Sequence, residues 1–370
     1  MAGHEIWLAQ PDGTPIQILE NYTFLRYTRS VNGIGWIEVH MPHDFDFSIL
    51  GLDCLIEIWR SPPGGDLKWQ MTGFLRRWGA ETIRSQTHVF LEGPGQNHII
   101  DNRIVAYLGD QAETEKSGAA DDVMKAVVRE NVAPNSGNDP YGRSRVQVNF
   151  TVAADATAGP TYSGDFPWQA LPDVLREISE QAHAKGTPVY WDIIQMSPGN
   201  FQFRTFVNQR GIDRTIDPVA LTFGQEFGNM TDPRWEEDWT EERNIIYGGG
   251  QGEGQNRVID PEKDVGRTFR TIWNRREGFQ DARGEKTVLG VAKKAFARLV
   301  ESKPRRRLSG RLLSVPGSLY DVHWGFGDRV PATAFGFQFE GFVQSVTITL
   351  RGKEREEIDA RIEAEYVNLG

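Results

Sequence analysis

Four clusters of side chains in this sequence could do chemistry. His40, His43, Asp44 and Asp46 fall within seven positions. Imidazole with carboxylate suits Zn or Mn. However, His40-Met41-Pro42-His43-Asp44 carries a proline after a strand, not a helix that would align two histidines, and reads as a polar strand exit. Gly248-Gly249-Gly250-Gln251-Gly252-Glu253-Gly254 invites a phosphate-loop reading. That chemistry needs a following helix N-terminus. Arg257-Val258-Ile259 reads as a strand and no Gly-Lys-Ser/Thr follows, so a mobile hairpin tip is expected. Trp235-Glu236-Glu237-Asp238-Trp239-Thr240-Glu241-Glu242 packs five carboxylates into eight residues. Two carboxylates about 5–9 Å apart can hydrolyse a glycosidic bond, and tryptophan could stack on the sugar. Adjacent acids on one segment point to different faces, which favours a solvated acidic edge or a partner-facing strand. Lys303-Pro304-Arg305-Arg306-Arg307 is the one basic run, able to meet phosphate or an acidic neighbour. Gly-x-Ser-x-Gly is absent, and Cys54 in an apolar strand reads as a core thiol. No catalytic residue, cofactor or metal site is expected.

Composition narrows the classes. The 370 residues hold 41 Lys plus Arg against 51 Asp plus Glu, a formal net charge of −10. With 39% hydrophobic and 25% charged residues, the chain is globular, with room for two or three domains. No run of about 18 apolar residues predicts a membrane span, and Met1–Glu5 lacks a secretion-signal pattern. The single cysteine forbids an internal disulfide, and a cytosolic folding compartment fits. An acidic balance argues against a dedicated nucleic-acid binder. The 11 Trp and 39 Gly point to β-structure with many turns.

The elements that position these residues are mostly strands. Glu5–Ala9, Ile16–Leu19, Tyr22–Tyr27, Trp36–Met41, Leu55–Arg60, Trp69–Trp78 and Thr87–Glu92 alternate or cluster apolar residues between Gly and Pro turns. Asn32-Gly33-Ile34-Gly35 suits a hairpin. Ser117–Asn131 predicts a helix with Ser117 as N-cap. Trp168–Ala184 predicts a second, with a stripe of Trp168, Leu171, Val174, Leu175, Ile178 and Ala182. Strands follow at Val189–Ile194, Asn200–Phe206, Ala220–Phe223 and Arg243–Tyr247. A third helix is expected over Asp281–Ser302, facing inward through Val288, Ala292, Ala295, Phe296 and Leu299. Phe342, Val346, Ile348 and Leu350 predict one face of a strand, and Glu357–Tyr366 is read as another. The order is β, then α/β, then β.

The motifs, in this order, resemble the siphophage tail-hub family, related to the N-terminal domain of tail-associated lysins and to contractile-tail baseplate hubs. The resemblance runs from Arg29-Ser30-Val31-Asn32-Gly33-Ile34-Gly35-Trp36 through Met41-Pro42 and Asp53 to Ile56-Glu57-Ile58-Trp59-Arg60 and Thr72-Gly73-Phe74. It continues with Arg210-Gly211-Ile212-Asp213-Arg214, Leu221-Thr222-Phe223, Gly228-Asn229-Met230, Asn244–Gly254 and Arg257. Glu277–Arg283 and Gly325-Phe326-Gly327-Asp328-Arg329-Val330 complete it.

The resemblance implies a β-rich α+β fold, baseplate-hub-like, with two small β-barrels flanking an α/β insertion. The first barrel would span 1–98, the insertion 99–215 and 255–305, and the second barrel 216–254 and 306–370. It implies a non-enzymatic virion protein at the tail tip. Three copies would form a homotrimeric, pseudo-sixfold ring adapting a sixfold tube to a threefold tip. The implied partners are a distal tail protein ring, the tape-measure protein, tail fibres or a spike, and genomic DNA in passage, with no membrane span. The chain is expected to end after its hub part and to recruit fibres or lytic domains as separate chains. An acidic lumen, to which Glu236–Glu242 could contribute, would repel DNA phosphate. Trp69, Trp78, Trp235, Trp239, Phe335, Phe337, Phe339, Arg305, Arg306 and Arg307 are the candidate partner contacts. Barrel core is the other reading of the strips Trp69–Trp78 and Phe335–Phe342. Two alternatives remain: a tail-associated cell-wall hydrolase, and a module binding host glycans through exposed tryptophan.

Overall fold

A computed structural model describes residues 3–83, 86–106, 114–132, 149–166, 168–216, 221–285, 287–352 and 356–366. It is β-rich, at 47% strand and 18% helix, with no closed barrel among the described residues. The first eight strands are β1 (Gly3–Ala9), β2 (Pro15–Ile18), β3 (Phe24–Ser30), β4 (Trp36–Met41), β5 (Leu55–Ser61), β6 (Lys68–Phe74), β7 (Arg77–Ile83) and β8 (Gln86–Pro94). A short α1 (His98–Asp101) precedes β9 (Thr114–Ala119), α2 (Ala120–Asn131), β10 (Phe150–Val152), β11 (Thr161–Phe166) and α3 (Leu171–Ala184). Then come β12 (Val189–Ser197), β13 (Asn200–Val207), β14 (Phe223–Gly224), β15 (Met230–Asp238), β16 (Ile245–Gly249) and β17 (Ile259–Lys263). The last elements are α4 (Val265–Thr268), β18 (Glu277–Asp281), α5 (Val288–Glu301), β19 (Arg305–Leu312), β20 (Arg329–Ala334), β21 (Phe337–Arg351) and β22 (Glu357–Tyr366).

The chain divides into a larger unit of residues 1–182, 187–234 and 308–370, and a smaller one of 183–186 and 235–307. In the larger unit one sheet runs β2-β1-β5-β6 and a second, eight-stranded, runs β14-β20-β21-β3-β4-β8-β7, with β22 on the other edge of β21. The two ends of the sequence therefore share a sheet: Ser345–Arg351 of β21 pairs antiparallel with Phe24–Ser30 of β3. The β3–β4 hairpin forms where expected, with Asn32 and Gly35 at positive φ.

The expected single strand Trp69–Trp78 is two strands. β6 pairs with β5 in the first sheet and β7 with β8 in the second. The chain changes sheets at Leu75 and Arg76, whose N–H groups donate to the carbonyls of Cys54 and Glu92. This corner needs Gly93, where a Cβ would stand 1.8 Å from the Phe74 carbonyl oxygen.

Helices α2 and α3 bury Val123, Met124, Val127, Val128, Leu171, Val174, Leu175 and Ile178 against Trp191, Ile193, Phe201 and Phe203 of β12 and β13. Ser117 does not cap α2. It lies in β9, and the N-cap position is Ala119, which makes no side-chain cap bond. Trp168 lies outside α3 and is 56% exposed, because the helix starts three residues later.

β21 changes phase midway. Phe339 and Val343 are buried, then Val346, Ile348 and Leu350. A bulge between Val343 and Ser345 inserts the extra residue. Phe342, expected on the buried face, is only half-buried.

The smaller unit is a three-stranded sheet, β17-β16-β18, with α5 on one face. α5 starts at Val288, not Asp281, which is the last residue of β18. Its buried face is Val291, Ala295 and Leu299, while Val288 and Phe296 are exposed. Gly248 and Gly250 are not a mobile tip. They are buried, and a Cβ there would meet Val291 at 2.7 and 2.5 Å. The glycines let the helix lie close on the sheet.

Candidate assembly surfaces

The polar interior of the larger unit joins distant segments of chain. Arg60, near the end of β5, is fully buried. Its Nε and Nη2 donate to Glu356 at 2.9 and 2.7 Å, and Nη1 donates to Asp321 at 2.8 Å. The guanidinium lies 5.0 Å from the Tyr320 ring centre, and Gln70 Nε2 also donates to Asp321. Burial pushes the Asp321 carboxyl above its ordinary value, against the pull of Arg60. His4 sits 3.9 Å from Glu356, and burial lowers its pKa to about 4. Residues near position 60 are thus tied to residues 320–356.

A second set of side chains closes the free edge of β12. Asn32 Oδ1 accepts from Trp191 N and Asn97 Oδ1 from Ile193 N, each at 2.8 Å. Gln96 Nε2 donates to the Ile193 carbonyl. Amide side chains here replace a neighbouring strand, which satisfies an edge that would otherwise pair with another chain. Glu57, Gln195 and Thr72 extend this network by hydrogen bonds.

Several of the side chains able to do chemistry have structural partners. His40 Nε2 lies 2.9 Å from Glu38 Oε1, His43 is exposed, and Asp46 accepts from Ser48 N in a single turn of 3-10 helix. Among the described residues no three His, Cys, Asp or Glu side chains group as metal ligands. Cys54 is buried. Of the acidic run, Glu242 is buried against Arg267 at 3.3 Å. A cavity of about 490 Å³ lies beside Asp121, Lys125, Gln202 and Arg204. Lys125 is held there by Asp121 and Asp122 at 3.2 and 3.1 Å, and these acids also accept from the backbone of Gly159, Ala156 and Thr157.

The candidate contact residues separate. Trp69 is half-buried with Nε1 donating to Thr72, while Trp78 on β7 is 37% exposed. Trp235 and Trp239 are half-buried, and Trp239 lies under Arg270 at 4.6 Å. Phe339 is core, whereas Phe337 is 36% and Phe335 60% exposed at the β20–β21 turn. The side chains of Arg305, Arg306 and Arg307 lie outside the described ones.

The largest apolar exposure was not singled out from the sequence. Phe269, Ile272 and Trp273, in the segment after α4, are 73, 88 and 84% exposed. The signal was present: residues 265–276 hold four arginines and no acid, interleaved with Val265, Phe269, Ile272 and Trp273.

This architecture is that of phage tail proteins. The tail protein from Neisseria meningitidis MC58 superposes with a TM-score of 0.59 at 13% identity, covering 98% of this chain and 97% of that one. The 43 kDa tail protein of prophage MuSo2 from Shewanella oneidensis gives 0.59 at 12%, covering 97% of each chain. A chain of the Francisella PdpA-VgrG complex gives 0.52 at 9%, covering all of this chain and 53% of that one. The chain belongs to the family of Siphovirus ReqiPepy6 Gp37-like proteins, matched over residues 5–362. It is thus a siphovirus tail protein, which places it in the virion tail. No curated protein matches it. Among the described residues no helix is long and apolar enough to cross a membrane.

Proposed function

We propose that this chain is a non-enzymatic tail-tip hub subunit, three copies of which close a ring that adapts the sixfold tail tube to a threefold tip and lets DNA pass. The observation that carries this reading is the match to tail proteins across nearly the whole chain, in family and in fold. Pseudo-sixfold symmetry requires two similar β-halves per copy. Each end of the sequence gives four strands to one sheet, β3, β4, β7 and β8 from the start and β14, β20, β21 and β22 from the later half, joined at β3–β21; in this reading these are the two halves. The ring would meet a distal tail protein ring and the tape-measure protein on one side, and fibres or a spike on the other. Acidic residues facing the lumen would keep DNA phosphate from sticking.

Light scattering on the purified chain, with negative-stain images of the same peak, tests the ring. A particle of about 125 kDa, three times 41.8 kDa, with a central hole is expected. Immunogold labelling of whole virions tests the location. Label along the tube or on the head, with none at the tip, would refute the hub assignment.

A further inference from the structure

We infer that the smaller unit is the subunit-to-subunit docking element, and that it seats on the acidic larger unit of a second copy of this chain. The inference rests on the ring reading and names the surface that would close it. Charge is divided unequally along the sequence. The smaller unit carries 17 Lys and Arg against 13 Asp and Glu, a net of +4, whereas the larger carries 24 against 38, a net of −14. Copies of one chain therefore present complementary potentials to each other, which steers encounter and fixes orientation.

The apolar surface has the same distribution. Ile259, Val265, Phe269, Ile272, Trp273, Phe279, Val288, Leu289 and Phe296 are all exposed on this one unit. For Ile259 and Phe279, the two of these on the sheet, the cause lies in its layering. α5 covers the Ile246 and Gly248 side of the sheet. The opposite face carries no helix: Tyr247 stands between Pro261 and Phe279 in register, with Ile259 beside them. Ile245 on that face is buried and Arg257 lies 5.0 Å from the Phe279 ring centre, while Ile259, Pro261 and Phe279 stay exposed. A sheet packed on one side only buries half of its apolar residues. Exposed Trp and Phe among arginines match the composition of interface centres. A basic apolar patch meeting a different, acidic surface is a heterologous contact, the kind that closes a ring when its rotation permits.

The test uses the full chain. A photo-crosslinking phenylalanine analogue replaces Ile272, and labelled and unlabelled copies are mixed before irradiation. Crosslinked peptides should join Ile272 of one copy to the larger unit of another. In parallel, the triple variant Arg270→Glu, Ile272→Ser, Trp273→Ser should keep its far-UV circular dichroism and lose at least about tenfold in association. Wild-type association should weaken as salt rises. A trimer undiminished in the triple variant, or crosslinks to the smaller unit of the other copy, overturns the inference and leaves the ring standing. A wild-type chain that stays monomeric at every concentration overturns both. An unchanged trimer whose wild type, but not the variant, binds vesicles of anionic phospholipid would assign the surface to a membrane and overturn self-docking.

Discussion

Replacing Arg60 by Met isolates the strongest polar tie in the larger unit. The guanidinium is fully buried and makes two bonds to Glu356 and one to Asp321. Methionine keeps much of the stem's packing and removes the charge. Two such pairs at an effective dielectric of about 20 are worth roughly 4 kcal/mol each. Gln70 stays on Asp321, so part of that is recovered. The expected net loss at pH 7 is about 3–5 kcal/mol, the usual cost of leaving buried charge uncompensated. The loss should also depend on pH. The folded-state pKa of Asp321 is already raised by burial, so its protonated form favours the native state. Stability from this group is present below the ordinary carboxylate range and is lost as pH rises through the raised value. Without Arg60 that value rises further, so the deficit should be small near pH 4 and grow toward neutrality. Urea unfolding of wild type and variant across this range measures it. A deficit below about 1 kcal/mol at pH 7, or one equal at both ends, would refute the reasoning.

Two further perturbations follow from the same geometry. His4, with its pKa lowered to about 4 by burial, binds no proton in the native state over a range where the unfolded chain does. Its stabilisation is complete above pH 6.5 and falls by about 3 kcal/mol toward pH 4; His4→Gln should flatten that part of the stability profile, and an unchanged slope would show that another group titrates there. At the β20–β21 turn Phe335 and Gly336 both have positive φ, 53° and 79°, a two-residue turn that favours Asn-Gly over an aromatic. Phe335→Asn should therefore stabilise the isolated chain by about 1 kcal/mol in denaturant titration, and a loss of that size would mean that the ring packs more than its exposure shows.

Much of this protein was legible in local patterns. The β3–β4 hairpin, the stripes of α2 and α3 and the alternation of β22 follow from periodicity and turn residues, which act over a few positions. The order of short motifs pointed to phage tail hubs, and the family match over residues 5–362 bears out that relationship. The acidic run was read as an edge, yet Glu242 within it is buried on Arg267. No local rule distinguishes the two, because the partner lies 25 residues away.

What tertiary structure alone decided are the long-range choices. Pairing of β3 with β21 brings together residues more than 300 positions apart, and neither strand's pattern names its partner. A single bulged residue in β21 turned Phe342 off the core face while leaving the sequence alternation intact. Arg60 ends the strand expected over Leu55–Arg60, and its partners Asp321 and Glu356 come from the other end of the chain. The face of the smaller sheet that carries no helix is likewise a property of packing. The sequence determined that Ile259 and Phe279 are apolar; only the arrangement of α5 on the other side of the sheet decided that they stay exposed.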